Sequence, residues 1–305
     1  MGNQQSSTSL PGPTMYTATA SASVAAAQAT ALTLSPTSSV SGKSFDRFVQ
    51  IFLENQDFDI AAGDPNLAYL ATQGILLDNY YAITHPSQPN YIAAVGASTH
   101  GVISDSAARI SGDVETIVDL LDTKAVSWSL YQEDMPYSGF EANYVNQKTG
   151  ANDYVRKHNP LMSYDSATND LNRLAKSKNF TMFDKDLAAN KLPQWMFITP
   201  NMTNDGHDTS VTVAGKWARN FLTPLLANKN FNTAKTLIVL TFDESENYLA
   251  ENRVFTVLLG GAISGQQGTT DSTKYNHYSL TKTVEDNWSL GDLGENDVSA
   301  TAFQF

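Results

Sequence analysis

Residues 84–91 read THPSQPNY, and the serine between two prolines has the setting of a nucleophile. Pro86 and Pro89 lack a backbone N–H and restrict the residues before them, which predicts that no helix runs through the segment and that Ser87 is held on a stiff turn. Three further polar clusters hold groups that could work with it: ENQD at 54–57, TPNMTNDGHD at 199–208 and DESEN at 243–247. Carboxylates with an Asn oxygen are hard ligands that suit a divalent cation. A hydroxyl held by such a cation loses its proton near neutral pH and becomes a nucleophile without a thiol or a serine–histidine–aspartate triad. Histidines nearby can hold phosphoryl oxygens and protonate a departing alkoxide in mildly acidic solution. Phosphoryl transfer uses all three devices.

Each cluster alone has an ordinary reading. Glu54 and Asn55 suit a turn cap, Asp-Gly at 205–206 is a common turn pair, Asp243 and Glu244 could end a strand as solvated charges, and His277 could cap a helix. Their common position relative to the apolar runs is what calls for chemistry. FVQIFL precedes ENQD, an apolar stretch precedes THPSQPNY, QWMFI precedes TPNMTNDGHD and TLIVLTF precedes DESEN, so each cluster follows an expected strand. Helical patterns fall between them, in NLAYLATQ, VETIVDLLDTK, ATNDLNRLAKSK, VAGKWARNFLTPLLAN and HYSLTKTVEDNWSL. AVSWSLYQE and RVFTVLLGG read as further strands. Strands alternating with helices predict a layered α/β fold with a mostly parallel sheet. Ligands of open parallel sheets bind at the carboxyl ends of the strands, where clusters distant in sequence converge.

Composition narrows the partners. Thirty-one acidic against nineteen basic residues give a formal charge of −12, which repels nucleic acid and anionic membranes. A phosphate-bearing ligand then needs a local positive device: a metal ion, histidines or helix N-termini. With no cysteine, disulfides and thiolate chemistry are excluded. No run reaches the ~20 apolar residues of a membrane span. Residues 1–42, rich in Ser, Thr, Ala and Pro and uncharged, read as a tail or linker, partly ordered at best, of a trimmed secreted chain, with O-glycosylation a further expectation. Residues 43–305 read as a single domain. The opening MGNQQS fits a loose myristoylation pattern at Gly2, and Asn179, Asn201 and Asn287 head glycosylation sequons. Residues 131–140, YQEDMPYSGF, suit either a pocket wall or a packed loop.

The order and spacing of ENQDF, THPSQPNY, KHNP, PNMTNDGHD, TFDE and HYSL resemble the phosphoesterase family of bacterial and fungal acid phosphatases and related phospholipases C, within the alkaline phosphatase superfamily. The likeness runs from about Phe45 to about Leu290. It implies a three-layer sandwich, a mostly parallel central sheet with helices on both faces. It implies one divalent metal ion, whether Ca, Mg, Mn, Fe or Zn, held by Glu54, Asn55, Ser87, Asp243 and Glu244. Glu244 stands where two-metal relatives have a histidine, a departure shared with the acid phosphatase branch. Ser87 is then the nucleophile and His207 or His277 the general acid. His158 and His85 are expected on the phosphate side, Asn90 and Asp205 either there or as supports behind the ligands, and His100 is left as structural. The implied activity is acid phosphatase hydrolysis of phosphomonoesters through a phosphoserine, releasing inorganic phosphate, in a secreted or cell-wall-associated protein. The alternatives are a phospholipase C-type phosphodiesterase and a degenerate binding module; the completeness of the ligand set speaks against the latter.

Overall fold

The computed structural model describes residue 17 and residues 19–305; the Gly2 pattern lies outside the described residues. The strands are β1 (Arg47–Leu53), β2 (Ile75–Leu77), β3 (Tyr80–Tyr81), β4 (Trp128–Gln132), β5 (Tyr144–Val145), β6 (Asn152–Tyr154), β7 (Ser177–Asn179), β8 (Trp195–Thr199), β9 (Thr236–Phe242), β10 (Thr256–Leu259), β11 (Thr269–Asp271) and β12 (Tyr275–Asn276). Eight of them form one sheet in the order β11-β2-β10-β9-β1-β8-β4-β7. Strand β10 runs antiparallel to β2 and β9, and the other neighbours are parallel. The apolar runs of β8 and β9 are buried along their whole length, as strands covered on both faces must be.

Helices cover the sheet in two groups. Helices Phe58–Gly63, Pro65–Thr72 and Val211–Leu226 touch one another, and Phe180–Ala188 joins them through Phe180 and Phe183, which meet Phe221. On the other face, helices Ser87–Gly96, Ile117–Thr123 and Tyr278–Trp288 form a second touching set. One glycine fixes the first set: a Cβ on Gly215 would meet Asp64 Oδ1 at 2.3 Å. Asp64 in turn caps Pro65–Thr72 by accepting from the amides of Asn66 and Leu67 at 2.8 and 3.1 Å.

Several expectations need correction. The prolines do not exclude a helix at Ser87: helix Ser87–Gly96 begins there, with Pro86 at its N-cap and Pro89 in the first turn, where an amide proton has no intrahelical partner to lose. THPSQPNY follows β3, which pairs with β12 outside the large sheet. The pattern ATNDLNRLAKSK gives two short turns, Asp165–Thr168 and Leu171–Leu174, because the side chain of Asp170 accepts from Asn172 and Arg173 and opens a new N-cap. Within residues 131–140, Tyr131 and Gln132 close β4, Met135, Tyr137 and Phe140 form a small core with Val24 and Tyr154, and Tyr137 and Ser138 also line a cavity of about 280 Å³ with Gln28 and Thr33. Val24 lies in helix Ser21–Thr30, so the tail is fixed from that point on. Ser38 Oγ donates to Gln194 Oε1 at 2.6 Å, and Leu34 N donates to the Ala175 carbonyl at 3.0 Å. The sequon asparagines each already donate from Nδ2: Asn179 to the Met135 carbonyl, Asn201 to Asp134 and Asn287 to the Phe45 carbonyl.

Candidate active site

The register of the sheet does the first part of the assembly. Leu53 stands opposite Phe242 in the parallel pair β1 and β9, so Glu54 and Asp243 leave the sheet side by side. Asp243 N donates to the Leu53 carbonyl at 2.9 Å and Glu54 N to the Asp205 carbonyl at 3.0 Å, which brings in the segment after β8. Gly206 in that segment has φ +105°, and a Cβ there would sit 3.3 Å from the Glu54 carbonyl, so the turn suits glycine. Asn55 is bent to φ +25°, a region that costs most side chains energy and Asn less.

Ser87 meets these groups from the opposite side. Its Oγ lies 3.0 Å from Glu54 Oε2, 3.1 Å from Glu244 Oε1 and 3.4 Å from Asn55 Oδ1. Asn90 braces the approach. It accepts from the Ile83 and Thr84 amides at 2.9 and 3.1 Å and donates to the Thr84 and Pro86 carbonyls at 2.8 and 3.3 Å. With every amide valence so used, Asn90 takes the supporting one of its two expected roles, as a brace for the turn, and has no atom left for phosphate.

The set is poor in protons and rich in acceptors. Glu54, Asp205, Asp243 and Glu244 are all fully buried. Burial, then the neighbouring carboxylates, pushes Glu54 well above its ordinary value and Glu244 up to about 9. Burial raises Asp243 to about 7 and Asp205 well above its usual range. Asp205 Oδ2 and Asp243 Oδ2 are buried with no hydrogen-bond partner. The amide head of Asn55 lies 2.8 Å from Glu54 Oε2 and 3.1 Å from Asp243 Oδ1, where its oxygen would face only acceptors and its NH₂ would donate to both. Oxygens that converge without enough donors fit a cation, and this donor set suits a hard divalent ion.

Glu54 serves two sides. Its Oε2 faces Ser87, while Oε1 accepts from Tyr91 and lies 3.2 Å from His158 Nε2. With Asp205 Oδ2 at 3.6 Å from His158 Nδ1, the residues Glu54, His158 and Asp205 form a second buried group able to hold a metal ion. His158 and Asp205 thus stand among the metal-competent groups, where the sequence placed His158 on the phosphate side and Asp205 either there or behind the ligands. Ring stacking on Tyr91, 4.9 Å between centroids, fixes the His158 plane, and burial holds its pKa well below the ordinary value.

The remaining histidines separate. His277 is buried, faces the Tyr80 hydroxyl with Nδ1 at 3.0 Å and the Asp243 carbonyl with Nε2 at 2.6 Å, and is lowered by burial to about 4. Both nitrogens being committed, His277 positions Asp243 and is not the general acid. His85 contacts Glu244 Oε2 through Nδ1 and stacks on Tyr248 at 3.9 Å. His207 reaches a cleft of about 750 Å³ that Gln88, Asp105, Arg156, Lys157 and Met202 also line. Its ring stands 6.0 Å from that of His158, and its Nδ1 lies 2.8 Å from Asp208 Oδ1.

Sequence reasoning missed Tyr91, Lys157 and Asp105. The first two sit inside motifs already singled out, HPSQPNY and KHNP. Lys157 lowers all four buried acids by its charge and pairs with Asp105 at 2.7 Å. Asp105 lies in a polar loop with no sequence signal.

The model of the phosphoesterase family matches residues 64–291, a span that holds Ser87, His158, Asp205, Asp243 and Glu244 and starts after Glu54 and Asn55. An acid phosphatase of Aspergillus fumigatus is 54% identical over 272 residues, 88% of this chain and 61% of the relative. A probable acid phosphatase of Kluyveromyces lactis is 53% identical over 269 residues, 88% of this chain and 64% of the relative. The chain therefore spans less than two thirds of the length of these relatives. Among solved structures, a protein in the alkaline phosphatase superfamily from Vibrio parahaemolyticus superposes with a TM-score of 0.53 at 10% identity, over 92% of this chain and 78% of that one; the likeness is one of fold.

Proposed function

The chain belongs to the phosphoesterase family, and from that premise we propose that it is a metal-assisted acid phosphatase in which Ser87 attacks phosphomonoesters. The observation that carries this reading is the Ser87 hydroxyl held between the carboxylate oxygens of Glu54 and Glu244, with the amide head of Asn55 3.4 Å away. The relatives named acid phosphatase support the substrate class. Glu54, Asn55, Ser87, Asp243 and Glu244 would hold a divalent cation, which when bound lowers the pKa of the serine hydroxyl and offsets phosphoryl charge.

The chain's own residues do the rest. Ser87 Oγ loses its proton to solvent and forms a bond to phosphorus as the bond from phosphorus to the ester oxygen breaks, with Glu54 and Glu244 at 3.0 and 3.1 Å holding the oxygen in line. His207, on the cleft wall, protonates the leaving alkoxide. Water then attacks the phosphoserine, which frees inorganic phosphate and restores the serine with net retention at phosphorus. Asn90 and His277 keep Ser87 and Asp243 in place throughout. Secretion or cell-wall attachment belongs to the same proposal, supported by the Ser/Thr-rich N-terminal segment.

The test is hydrolysis of 4-nitrophenyl phosphate against pH, with and without chelator, beside bis-4-nitrophenyl phosphate and 4-nitrophenylphosphorylcholine. Chelator-sensitive monoesterase activity with an optimum below neutrality is expected, and Ser87→Ala should lower kcat/KM at least about a thousandfold. Wild-type turnover in Ser87→Ala would end the reading. Preference for the choline diester would move the chain to the phospholipase C type.

A further inference from the structure

The acidic surface requires a positive seat for the transferred phosphoryl group, and most expected groups are committed elsewhere. His277 and Asn90 have their polar atoms bound to the fold, His158 lies between two carboxylates, and His85 lies against Glu244. Two donors on the cleft, one of them on the residue after Ser87, are held differently. The amide of Gln88, the residue after the nucleophile, donates to Asp105 Oδ1 at 3.0 Å. Lys157 Nζ donates to Asp105 Oδ2 at 2.7 Å. Gln88, Asp105 and Lys157 all line the same cleft of about 750 Å³. One carboxylate thus bridges a backbone N–H and an ammonium group beside the catalytic hydroxyl, which is how an anionic phosphoryl oxygen pair would be received there.

We propose that the Gln88 amide and Lys157 Nζ form the seat of the phosphoryl oxygens, and that the Asp105 carboxylate fills this seat until substrate displaces it. The inference rests on the phosphatase reading and adds to it the cation that receives the substrate and the resident anion it competes with. Asp105 can be displaced without disturbing the core: residues 103–107 are exposed, and Ile103 at their start is 82% exposed. Lys157 is anchored more deeply, its side chain 18% exposed against 35% for Asp105, and it keeps the acids around Ser87 as neighbours when Asp105 swings out. Removing the Asp105 charge therefore strengthens the binding of an incoming anion, while removing the Lys157 charge weakens it.

The probe is inorganic phosphate, measured as a competitive inhibitor of 4-nitrophenyl phosphate hydrolysis and, separately, by calorimetric binding to the protein. Lys157→Met should raise the phosphate Ki and the KM about tenfold or more, with Lys157→Arg recovering part of the loss, because a charge-assisted contact is removed and then partly restored. Asp105→Asn should lower both constants several-fold, since its side chain keeps its size and loses its charge. Weaker phosphate binding in Asp105→Asn, or an unchanged Ki in Lys157→Met, overturns the proposal. If the wild type hydrolyses no phosphomonoester but binds phosphate with these same shifts, the seat stands and the phosphatase reading falls. If it hydrolyses them and the variants bind phosphate as the wild type does, the seat alone falls.

Discussion

Two buried polar clusters in this molecule are built on opposite principles. Beneath β4 and β7, Lys178 Nζ lies 2.6 Å from Asp186 Oδ2 and 3.3 Å from Ser35 Oγ, and the Tyr131 hydroxyl donates to the same Asp186 oxygen at 2.8 Å. The ammonium also lies 4.7 Å from the Tyr131 ring centroid. One positive and one negative charge meet there, and the neighbouring dipoles complete the pair. At the ends of β1, β8 and β9, Glu54, Asp205, Asp243 and Glu244 crowd together with Lys157 at the edge and two carboxylate oxygens unpartnered. A cluster that serves stability balances its charges within the fold. One that serves a ligand leaves them for the ligand to balance, and the fold carries the cost.

The largest effect that separates the two is on stability. Lys178→Met leaves Asp186 buried without its cation and should cost about 3–5 kcal/mol, read as a fall in the denaturant midpoint, with the activity of the remaining folded protein unaltered. A loss of activity without loss of stability would erase the distinction. At the other cluster the sign reverses. Asp243→Asn removes one of the crowded charges, so in chelator at pH 8 it should raise stability by about 1 kcal/mol while abolishing most turnover. If the variant is instead less stable, the carboxyls are matched by the fold and the contrast is broken.

A smaller, pH-graded effect comes from a third acidic pair. Glu285, buried with neither carboxylate oxygen hydrogen-bonded, is raised to about 9, first by burial and then by its neighbour Asp297. Because the folded value exceeds the unfolded one, the stabilisation is complete below about pH 4.5 and is lost as pH rises toward 9. Melting temperature should therefore fall across that window, and Glu285→Gln should flatten part of the slope. An unchanged slope would show that the pair does not titrate within the folded state.

Legibility in the sequence followed chain distance. The alternation of apolar runs and amphipathic segments made the α/β class and most elements readable, because period and length are local properties. The association of Ser87 with Glu54, Asn55 and Glu244 was also legible, through motif order and strand-end position, and the geometry brings these side chains within hydrogen-bond reach. Histidine roles were not legible. His277 and Asn90 have the residue types of a phosphate site, yet their polar atoms are spent on the Asp243 carbonyl and on the turn before Ser87. Nor was Asp105 legible, since its two partners are 17 and 52 residues away and no motif surrounds it.

The sequence by itself determined which segments become strands and helices, where the polar clusters fall on them, and which residue types are available for chemistry. The tertiary structure alone decided which of those residues face a common point. The register of β1 against β9 sets Glu54 beside Asp243, and the start of a helix at Ser87 aims the hydroxyl at both carboxylate-bearing strands. The physical reason is that a side chain's type is fixed by its codon, but its freedom to bind a ligand depends on whether neighbours brought by the fold have already taken its donors and acceptors.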